Sequence, residues 1–286
     1  MKKFLSALLL TALMSGSVLA SEVMKVGELE KLNISPEDFN KMLYGIPTAK
    51  FSEFRKGAKL SEFRKGSPVA DKRETKFYNS LTELLLALNR GEVDEIILPK
   101  EVAQYALKNN DALELVAVNH IVPNYLALGF KDDEEGRRLK SLFNNALITM
   151  ENSGRLSMLK ELYINDAGYD EPEPVKPERF DGAEIVKVAV TGDMPPIDFI
   201  AADGIPAGFN TAVLAECAKI AKVNLELMNI DTTARAAALV SGRVGLVFWF
   251  QTVYDTEVNL DVPEGIILSE PYYRWDELYA IKLKAK

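Results

Sequence analysis

The chain has 286 residues, a length that predicts about two domains at roughly 150 residues per domain. Hydrophobic residues make up 48% of it and charged residues 27%, which is typical of a soluble globular protein and excludes a wholly disordered chain. The 34 Lys and Arg residues against 42 Asp and Glu residues give a net charge of −8. Because phosphate binding requires a basic surface, we expect no nucleic-acid partner.

The chain begins with the pattern of a secretory signal peptide. Lys2 and Lys3 precede a short apolar stretch, and Val18-Leu19-Ala20 has the small residues of a cleavage site. The apolar stretch is shorter than the roughly 20 residues that a membrane-spanning helix needs, although an uncleaved anchor is the alternative. We expect cleavage after Ala20 and a periplasmic location. No cysteine follows this point, so a lipid anchor is not indicated.

The single cysteine and the single histidine limit the chemistry of the chain. Cys217 alone excludes an intramolecular disulfide and a cysteine-rich metal site, and His120 alone excludes a metal site built on paired histidines. We predict no metal and no cofactor, and the family resemblance described below implies a binding protein with no catalytic residues. Cys217 falls on the apolar face of a predicted helix and is expected in the core.

The first half of the chain alternates strands and helices. Ser35 before Pro36 predicts the start of one helix, and Ser80 with Glu83 forms a capping box at the start of another. Leucines at 81, 84, 85 and 88 share one face of that second helix, and Gly91 ends it. The predicted strands are 23–29, 93–98, 113–118 and 125–130, and further helices are predicted over 101–107 and 139–150.

A segment at 166–181 separates the two halves. It carries Pro172, Pro174 and Pro177 among acidic residues and shows no apolar periodicity. Prolines lack a backbone donor and stiffen the chain, so we predict a solvated connector rather than a helix or strand. A segment that binds a partner is the alternative.

The second half repeats the alternation, with predicted strands at 185–190, 225–230 and 244–250 and predicted helices at 211–221 and 233–240. Such an order is typical of a mostly parallel sheet with helices on its faces. The helix, glycine and strand at 87–93 resemble those at 238–244, as expected of two similar α/β lobes; convergence on a common helix–glycine–strand turn is the alternative. A nonapeptide at 49–57 is repeated at 58–66, which we interpret as a duplicated surface loop.

The second half resembles the amino-terminal part of the type 3 extracellular solute-binding proteins, which serve ABC importers of polar amino acids. The resemblance lies in KVAVTGDMPPIDFIAADGIPAGFNTAVLAECAKIAKVNLEL (187–227), ALVSGRVGLVFWF (238–250) and LSEPYYRW (268–275). The first half resembles the later part of the same family. There it lies in KVGELEKLNISPEDF (25–39), in the segment 78–107 and in the segment 124–166.

The family's two parts occur here in swapped order, which predicts a circular permutant of the two-lobed periplasmic-binding-protein fold of type II, the Venus flytrap fold. The resemblance implies one lobe at 21–122 and the other at 123–286, with the 166–181 connector joining the family's original ends. The unpermuted fold has two crossovers between its lobes. Here only one covalent crossover is expected, near 120–125, and the chain ends with the strand 278–283 at the position of the second. We expect a monomer; two truncated halves that pair in a dimer are the alternative.

In open α/β sheets, ligands bind beyond the carboxyl ends of the strands. Two lobes therefore bring two such edges together across a cleft. We expect the cleft to hold the solute, with the helix start near Ser35 offering backbone N–H groups to a ligand anion. The predicted ligand-binding residues are Thr191, Asp193, Met194, Trp249, Phe250, Gln251, Thr252, Glu30, Asn33, Ser35 and Lys100.

The chain departs from the family at both charged clamps for an amino acid. In the family, an Arg binds the ligand carboxylate and an Asp holds the ligand ammonium. In this sequence the position of the Arg aligns at or near Glu257, and the position of the Asp aligns with Pro99. Arg235 and Arg274 are possible substitutes, although surface or hinge positions are favoured for both. Trp249 is expected to face the cleft and to stack on a ligand.

The resemblance implies a receptor that captures a small polar solute and presents it to the membrane permease of an ABC importer. The second hypothesis is a protein with the flytrap fold that no longer binds an amino acid and acts as a sensor or interaction module. An enzyme related to prephenate or arogenate dehydratases is the third. It is disfavoured, because such chemistry needs a positioned acid and carboxylate-binding cations.

Overall fold

A computed structural model describes residues 23–29, 36, 73–165, 174–252 and 262–285. The predicted signal peptide, the nonapeptide repeat and the first part of the 166–181 connector lie outside these residues. None of the helices in the described part of the chain is long and apolar enough to cross a bilayer.

Helices and strands alternate along the described chain, as the sequence predicts. The strands are β1 Met24–Leu29, β2 Arg73–Tyr78, β3 Glu95–Pro99, β4 Leu113–Lys131, β5 Ile185–Val190, β6 Asp193–Met194, β7 Asp198–Ile200, β8 Pro206–Ala207, β9 Asn224–Asn229, β10 Leu246–Thr252, β11 Ile266–Leu268 and β12 Tyr273–Leu283. The α-helices are α1 Leu81–Asn89, α2 Lys100–Lys108, α3 Glu134–Asn152, α4 Arg155–Lys160, α5 Phe209–Ala221 and α6 Arg235–Val240. A π-helical turn, Glu161–Asn165, follows α4, and a 3-10 turn, Thr232–Ala234, precedes α6.

Nine of these strands form one sheet in the order β2-β1-β3-β12-β4-β10-β5-β9, with β11 also paired to β4. β1 runs parallel to β2 and β3, and β5 runs parallel to β9 and β10. The short strands β6, β7 and β8 form a separate antiparallel sheet. The predicted α/β fold class is confirmed, but the sheet is mixed: its two ends are parallel, whereas β4 and β12 in the middle pair antiparallel with their neighbours.

Two long antiparallel strands, β4 and β12, divide this sheet into two α/β units. Unit 1 comprises 23–29, 73–116 and 278–283, and unit 2 comprises 125–165, 174–252 and 262–275. One end of β4 pairs with β12 in unit 1, while its other end pairs with β10 and β11 in unit 2. The β4–β12 register shifts on both sides of Glu277, so the ladder is irregular where the strands pass between the units.

The course of β12 differs from the boundary that the sequence suggested. We expected 123–286 to form one lobe, with a single covalent crossover near 120–125. Instead, Leu278 to Ile281 pair with β3 of unit 1, while Tyr273 pairs with Leu126 of β4 in unit 2. β12 is therefore a second connection, and residues 278–283 belong to the sheet of unit 1.

The capping box predicted at the start of α1 is confirmed. The backbone N–H of Glu83 donates to Ser80 Oγ at 3.1 Å, and the backbone N–H of Asn79 donates to Glu83 Oε2 at 3.0 Å. The leucines of the predicted face pack inward, with Leu81, Leu84 and Leu88 buried. The start and the buried face of α1 are thus local properties of its own residues.

The core follows both faces of the sheet in two clusters. The larger contains Phe130, Phe143 and Phe209, all fully buried. Cys217 lies in this cluster with its Sγ 3.6 Å from Met150 Sδ, and burial raises the pKa of its thiol to about 12. The predicted core position of Cys217 is confirmed.

The second part of the connector, 174–180, has neither helix nor strand but is held against unit 2. The Asn224 side chain accepts a hydrogen bond from the backbone N–H of Phe180 at 2.8 Å and donates to the Phe180 carbonyl at 2.9 Å. The Lys222 ammonium lies 4.8 Å from the centre of the Phe180 ring. This part of the connector is therefore anchored, whereas the sequence predicted only a solvated spacer.

Candidate functional site

A cavity of about 520 Å³ lies between the two units. Unit 1 contributes α1, α2 and the start of β4, and unit 2 contributes the turn and hairpin at 192–202. The volume lies within the roughly 300–1,000 Å³ of small-molecule sites. The lining residues are Leu81, Thr82, Leu85, Tyr105, Ala106, Asn109, Asn110, Leu113, Gly192, Asp193, Pro195, Phe199, Ile200, Ala201 and Ala202.

The hairpin wall is fixed from behind by a buried carboxylate. Asp198 Oδ2 accepts hydrogen bonds from the Thr191 hydroxyl at 2.6 Å, the Thr191 backbone N–H at 3.0 Å and the Gly192 backbone N–H at 3.3 Å. Gly192 has a φ of +73°, and a Cβ there would lie 2.5 Å from Cγ1 of Ile200. The turn after β5 thus requires both a glycine and the anchoring carboxylate. Thr191, predicted to bind the ligand, here donates to Asp198.

Asp193 follows this turn and lies beside α1 of unit 1, whose residues Leu81 and Thr82 line the same cavity. Both stand in the first turn of α1, where backbone N–H groups have no partner within the helix. Burial is the main cause of the raised pKa of Asp193, and the nearby polar groups of Ser80, Leu81 and Thr82 oppose the rise. Its Oδ2 atom is buried and accepts no hydrogen bond.

A second contact between the units lies beside the crossover. The Tyr273 hydroxyl, at the start of β12, donates to Glu101 Oε1 of α2 at 2.9 Å. Its ring meets Phe209 edge-on with 5.3 Å between the ring centres. The adjacent Tyr272 is buried and donates its hydroxyl to Asn210 Oδ1 at 2.8 Å. Both tyrosines are therefore held by protein contacts at the start of β12.

Lys100, another predicted ligand residue, stands at the start of α2. Its ammonium lies 2.6 Å from Glu277 Oε2, and that hydrogen bond is the first cause of its raised pKa. Its Nζ also lies 5.8 Å from the centre of the Tyr279 ring. Lys100 thus contacts β12 and does not line the cavity.

The remaining predicted site residues fall into two groups. Met194 is buried beside Asp193, at 5% exposure. The backbone of 250–252 pairs with 124–126 of β4, but the side chains of Phe250, Gln251 and Thr252 lie outside the described residues. The residues predicted from unit 1 at the helix start, together with the replacement for the family's Arg, also lie outside them: Glu30, Asn33, Ser35 and Glu257.

Trp249 does not face the cavity, in contrast to the prediction. Its side chain is 0% exposed and packs in the smaller core cluster with Leu239 and Val247. β10 lies between β4 and β5 and is covered on both faces, so Phe248 on the opposite face is also buried, at 2% exposure. Strand alternation separates the two side chains, but neither face of an interior strand is open.

Neither arginine considered as a substitute clamp lines the cavity. Arg235 is 2% exposed, and its guanidinium lies 4.7 Å from the centre of the Trp249 ring. The guanidinium of Arg274 lies 5.4 Å from the centre of the Tyr125 ring. Among the described residues that line the cavity, Asp193 is the one with an ionisable carboxylate.

Sequence analysis did not identify the unit 1 wall of the cavity. The capping box at Ser80 marked the start of α1, and Leu81 and Thr82 of that start line the cavity. The wall also includes Tyr105, Asn109 and Asn110, which carry no motif. In the described ranges, no group of three or more His, Cys, Asp or Glu side chains is placed to hold a metal ion.

Residues 186–260 match the model of the bacterial extracellular solute-binding proteins, family 3. The predicted resemblance is confirmed for this part of the chain, which includes the hairpin wall of the cavity. A comparison with curated proteins finds no match.

Three similar solved structures cover most of this chain at low identity. The ligand-binding component of an ABC-type import system from Staphylococcus aureus, with zinc bound, has 12% identity and a TM-score of 0.43 over 92% of this chain and 66% of its own. The BvgS periplasmic domain of B. pertussis has 11% identity and a TM-score of 0.40 over 92% and 37%. AgaA from A. tumefaciens R10, in complex with agropinic acid, has 13% identity and a TM-score of 0.41 over 79% and 58%. The chain thus spans 37 to 66% of the length of these structures.

Proposed function

We propose that the protein is a solute-binding protein that holds a small polar solute between its two units. The observation that carries this proposal is the position of the family match. Residues 186–260 include the turn and hairpin that form one wall of the cavity between the units. The part of the chain with a confirmed family resemblance therefore contributes directly to the candidate site.

The arrangement of the two units supports binding by closure. β4 and β12 are continuous strands that pass from one unit to the other, and their pairing is irregular at Glu277. A bend at this point would separate the hairpin wall from α1 and α2, since these walls belong to different units. A solute that contacts both walls would favour the closed state by its differential affinity for that state.

The location and the partner are part of the same proposal. The amino-terminal pattern and the extracellular family favour export to the periplasm. There the protein would deliver its solute to the membrane permease of an ABC importer, as the family resemblance implies. We propose no catalytic step, because binding and release of the solute account for the site.

The order of the segments supports a circular permutation of the flytrap fold. The family match begins at residue 186, after most of unit 1, the 125–165 part of unit 2 and the connector in chain order. The connector runs directly into β5, the first strand of the matched part, and its last residues are anchored on unit 2. We propose that it joins what are the two ends of the chain in unpermuted relatives.

A sensor or interaction module is the second candidate. The absence of the family's charged clamps favours it, since Pro99 stands where an Asp is expected and Glu257 stands where an Arg is expected. Such a protein would keep the two units and the crossover strands but would not transport a solute.

A thermal-shift screen of the exported form, purified free of ligand, tests the proposal. The panel contains amino acids, polyamines, betaines, small peptides and organic acids. A ligand at about 100 times its dissociation constant stabilises the folded protein by about 2.7 kcal/mol, which raises the melting temperature measurably. A hit that Ala202→Trp abolishes and Ser241→Trp leaves intact supports the cavity, since Ala202 lines it and Ser241 is exposed outside it. If no compound in the panel raises the melting temperature of the folded protein, the sensor hypothesis is favoured.

A further inference from the structure

The described lining of the cavity between the units has one acidic side chain, that of Asp193, and no basic one. None of the other described lining residues is Lys, Arg or His. Lys108 stands in α2 beside two residues of the lining, but it is exposed and does not line the cavity itself. The charge that this lining presents to a solute is therefore negative.

The protein leaves part of the Asp193 carboxylate without a partner. Its Oδ2 atom is buried and accepts no hydrogen bond. The side chain as a whole is only partly buried and lines the cavity, so an enclosed solute lies next to it. A carboxylate oxygen that is shielded from water and has no donor costs free energy. A cation with an N–H group would supply both the missing donor and the opposite charge.

The start of α1 does not reverse the sign of the site. Leu81 and Thr82 line the cavity from the first turn of α1, where a helix carries a partial positive charge of about half an elementary charge. The carboxylates of Asp193, beside this turn, and of Glu83, within it, oppose that partial charge. A carboxylate on the solute would therefore meet acidic groups and no basic side chain of the described lining.

The two amides of the lining do not replace a basic residue. Asn109 Nδ2 donates to the Tyr105 carbonyl at 3.0 Å, and Asn110 Oδ1 accepts from the Ala112 backbone N–H at 3.0 Å. Their remaining amide atoms can hydrogen-bond a polar group of a solute, but an amide carries no net charge. They cannot neutralise a carboxylate as an arginine does.

The rest of the lining favours an apolar body on the solute. Both walls are mainly aliphatic, and each supplies one aromatic ring, Tyr105 from α2 of unit 1 and Phe199 from β7 of unit 2. Aromatic rings contact apolar groups and also attract cations. The cavity volume of about 520 Å³ is far larger than the roughly 30 Å³ that one water molecule occupies. An inorganic cation alone would therefore leave most of it unfilled.

We propose that the solute is an organic amine, with one protonated nitrogen beside Asp193, an apolar or aromatic body and no carboxylate. The inference rests on the solute-binding function proposed above and narrows the small polar solute to this chemical class. A primary or secondary ammonium group keeps the N–H donor that Asp193 lacks, whereas a quaternary ammonium group has none. Free α-amino acids are excluded, because their carboxylate has no basic partner in the described lining.

Isothermal titration calorimetry with matched probes tests the class on purified, ligand-free protein at neutral pH. Phenethylamine carries the amine alone, phenylalanine carries the amine and a carboxylate, and hydrocinnamate carries the carboxylate alone. Phenethylamine should bind about tenfold or more tightly than phenylalanine, because it brings no unpaired carboxylate into the cavity. Hydrocinnamate should not bind measurably. Pentylamine, norleucine and hexanoate form the matched aliphatic series, in which we expect the same order.

Asp193→Asn tests the residue that carries the inference. It removes the charge but keeps the shape and one oxygen, so the affinity for phenethylamine should fall about tenfold or more. Asp203→Asn is the matched control. It removes a carboxylate from the exposed tip of the same hairpin, outside the cavity lining, where Asp203 Oδ1 accepts from the Ile205 backbone N–H at 3.0 Å. It should leave the affinity unchanged.

The outcomes separate this inference from the function on which it rests. If neither amine binds but a compound with a carboxylate does, solute binding stands and the amine class is wrong. Equal affinity of phenethylamine for the parent protein and Asp193→Asn overturns the role of Asp193. If no compound of either series or of the wider panel binds, the solute-binding function fails and the amine class with it. If Asp193→Asn does not fold, the order of affinities on the parent protein still decides the class.

Discussion

The hydroxyl of Thr191 donates a 2.6 Å hydrogen bond to Oδ2 of Asp198, and this pair fixes the turn that carries the hairpin wall of the cavity. Asp198 is 1% exposed, and its Oδ1 atom accepts no hydrogen bond. Burial raises the pKa of Asp198, while the Thr191 and Gly192 donors and the charge of Arg235 oppose the rise.

The raised pKa of Asp198 predicts a pH-dependent stability. Because the folded protein binds this proton more tightly than the unfolded chain does, its contribution is fully present below the ordinary Asp pKa of about 4. It is lost as the pH rises through the folded-state pKa. Urea unfolding at a series of pH values should show the free energy of unfolding falling over that window in the parent protein relative to Asp198→Asn. A constant difference between the two proteins across the series would contradict the raised pKa.

The burial of Trp249 predicts that Trp249→Ala destabilises the fold. Truncation of a buried Trp costs roughly 3–5 kcal/mol, because the indole is lost from the core and a cavity remains. Chemical denaturation should show the corresponding loss in the free energy of unfolding. Trp249→Phe, which retains a ring, should lose less. Near-parent stability of the alanine variant would place the side chain on an open wall instead.

The turn at Gly192 predicts a difference between two glycine substitutions on the same segment. Gly192 and Gly204 both have positive φ, but a Cβ at Gly204 would meet no heavy atom within 4 Å, whereas one at Gly192 would lie 2.5 Å from Ile200 Cγ1. Gly204→Ala should cost only the backbone penalty of about 1–2 kcal/mol. Gly192→Ala should cost clearly more and should weaken the binding of any solute found in the cavity. Thermal unfolding of the two variants measures the difference, and equal losses would show that the close contact is unimportant.

The anchoring of the connector predicts that Asn224→Ala exposes it to protease. Asn224 binds the backbone of Phe180 through two hydrogen bonds and donates a third to the Ala183 carbonyl at 3.3 Å. Without them, the exposed bond after Arg179 should become a faster trypsin site. Native-state digestion followed by mass spectrometry gives the rate at this bond. As a control, Asn229→Ala removes an amide from the other end of β9 and should leave the rate unchanged. Equal cleavage rates in all three proteins would mean that the connector is not held by Asn224.

The sequence by itself determined the features that depend on neighbouring residues. Patterns of three to seven residues predicted three features that the structure confirms. These are the capping box at Ser80, the buried leucines of α1 and the core position of Cys217. The family resemblance of 186–260 was also visible, because it rests on contiguous motifs.

Only the tertiary structure decided where distant segments meet. The burial of Trp249 depends on β10 lying inside a covered sheet, and the passage of β12 into unit 1 depends on pairing with β3. The position of Asp193 on the same cavity as Leu81 and Thr82 brings a hairpin next to a helix far earlier in the chain. Periodicity reports which face of a segment is apolar but not how many layers cover it. A helix N-terminus likewise does not encode which of the distant carboxylates will lie beside it, since that depends on the packing of the whole chain.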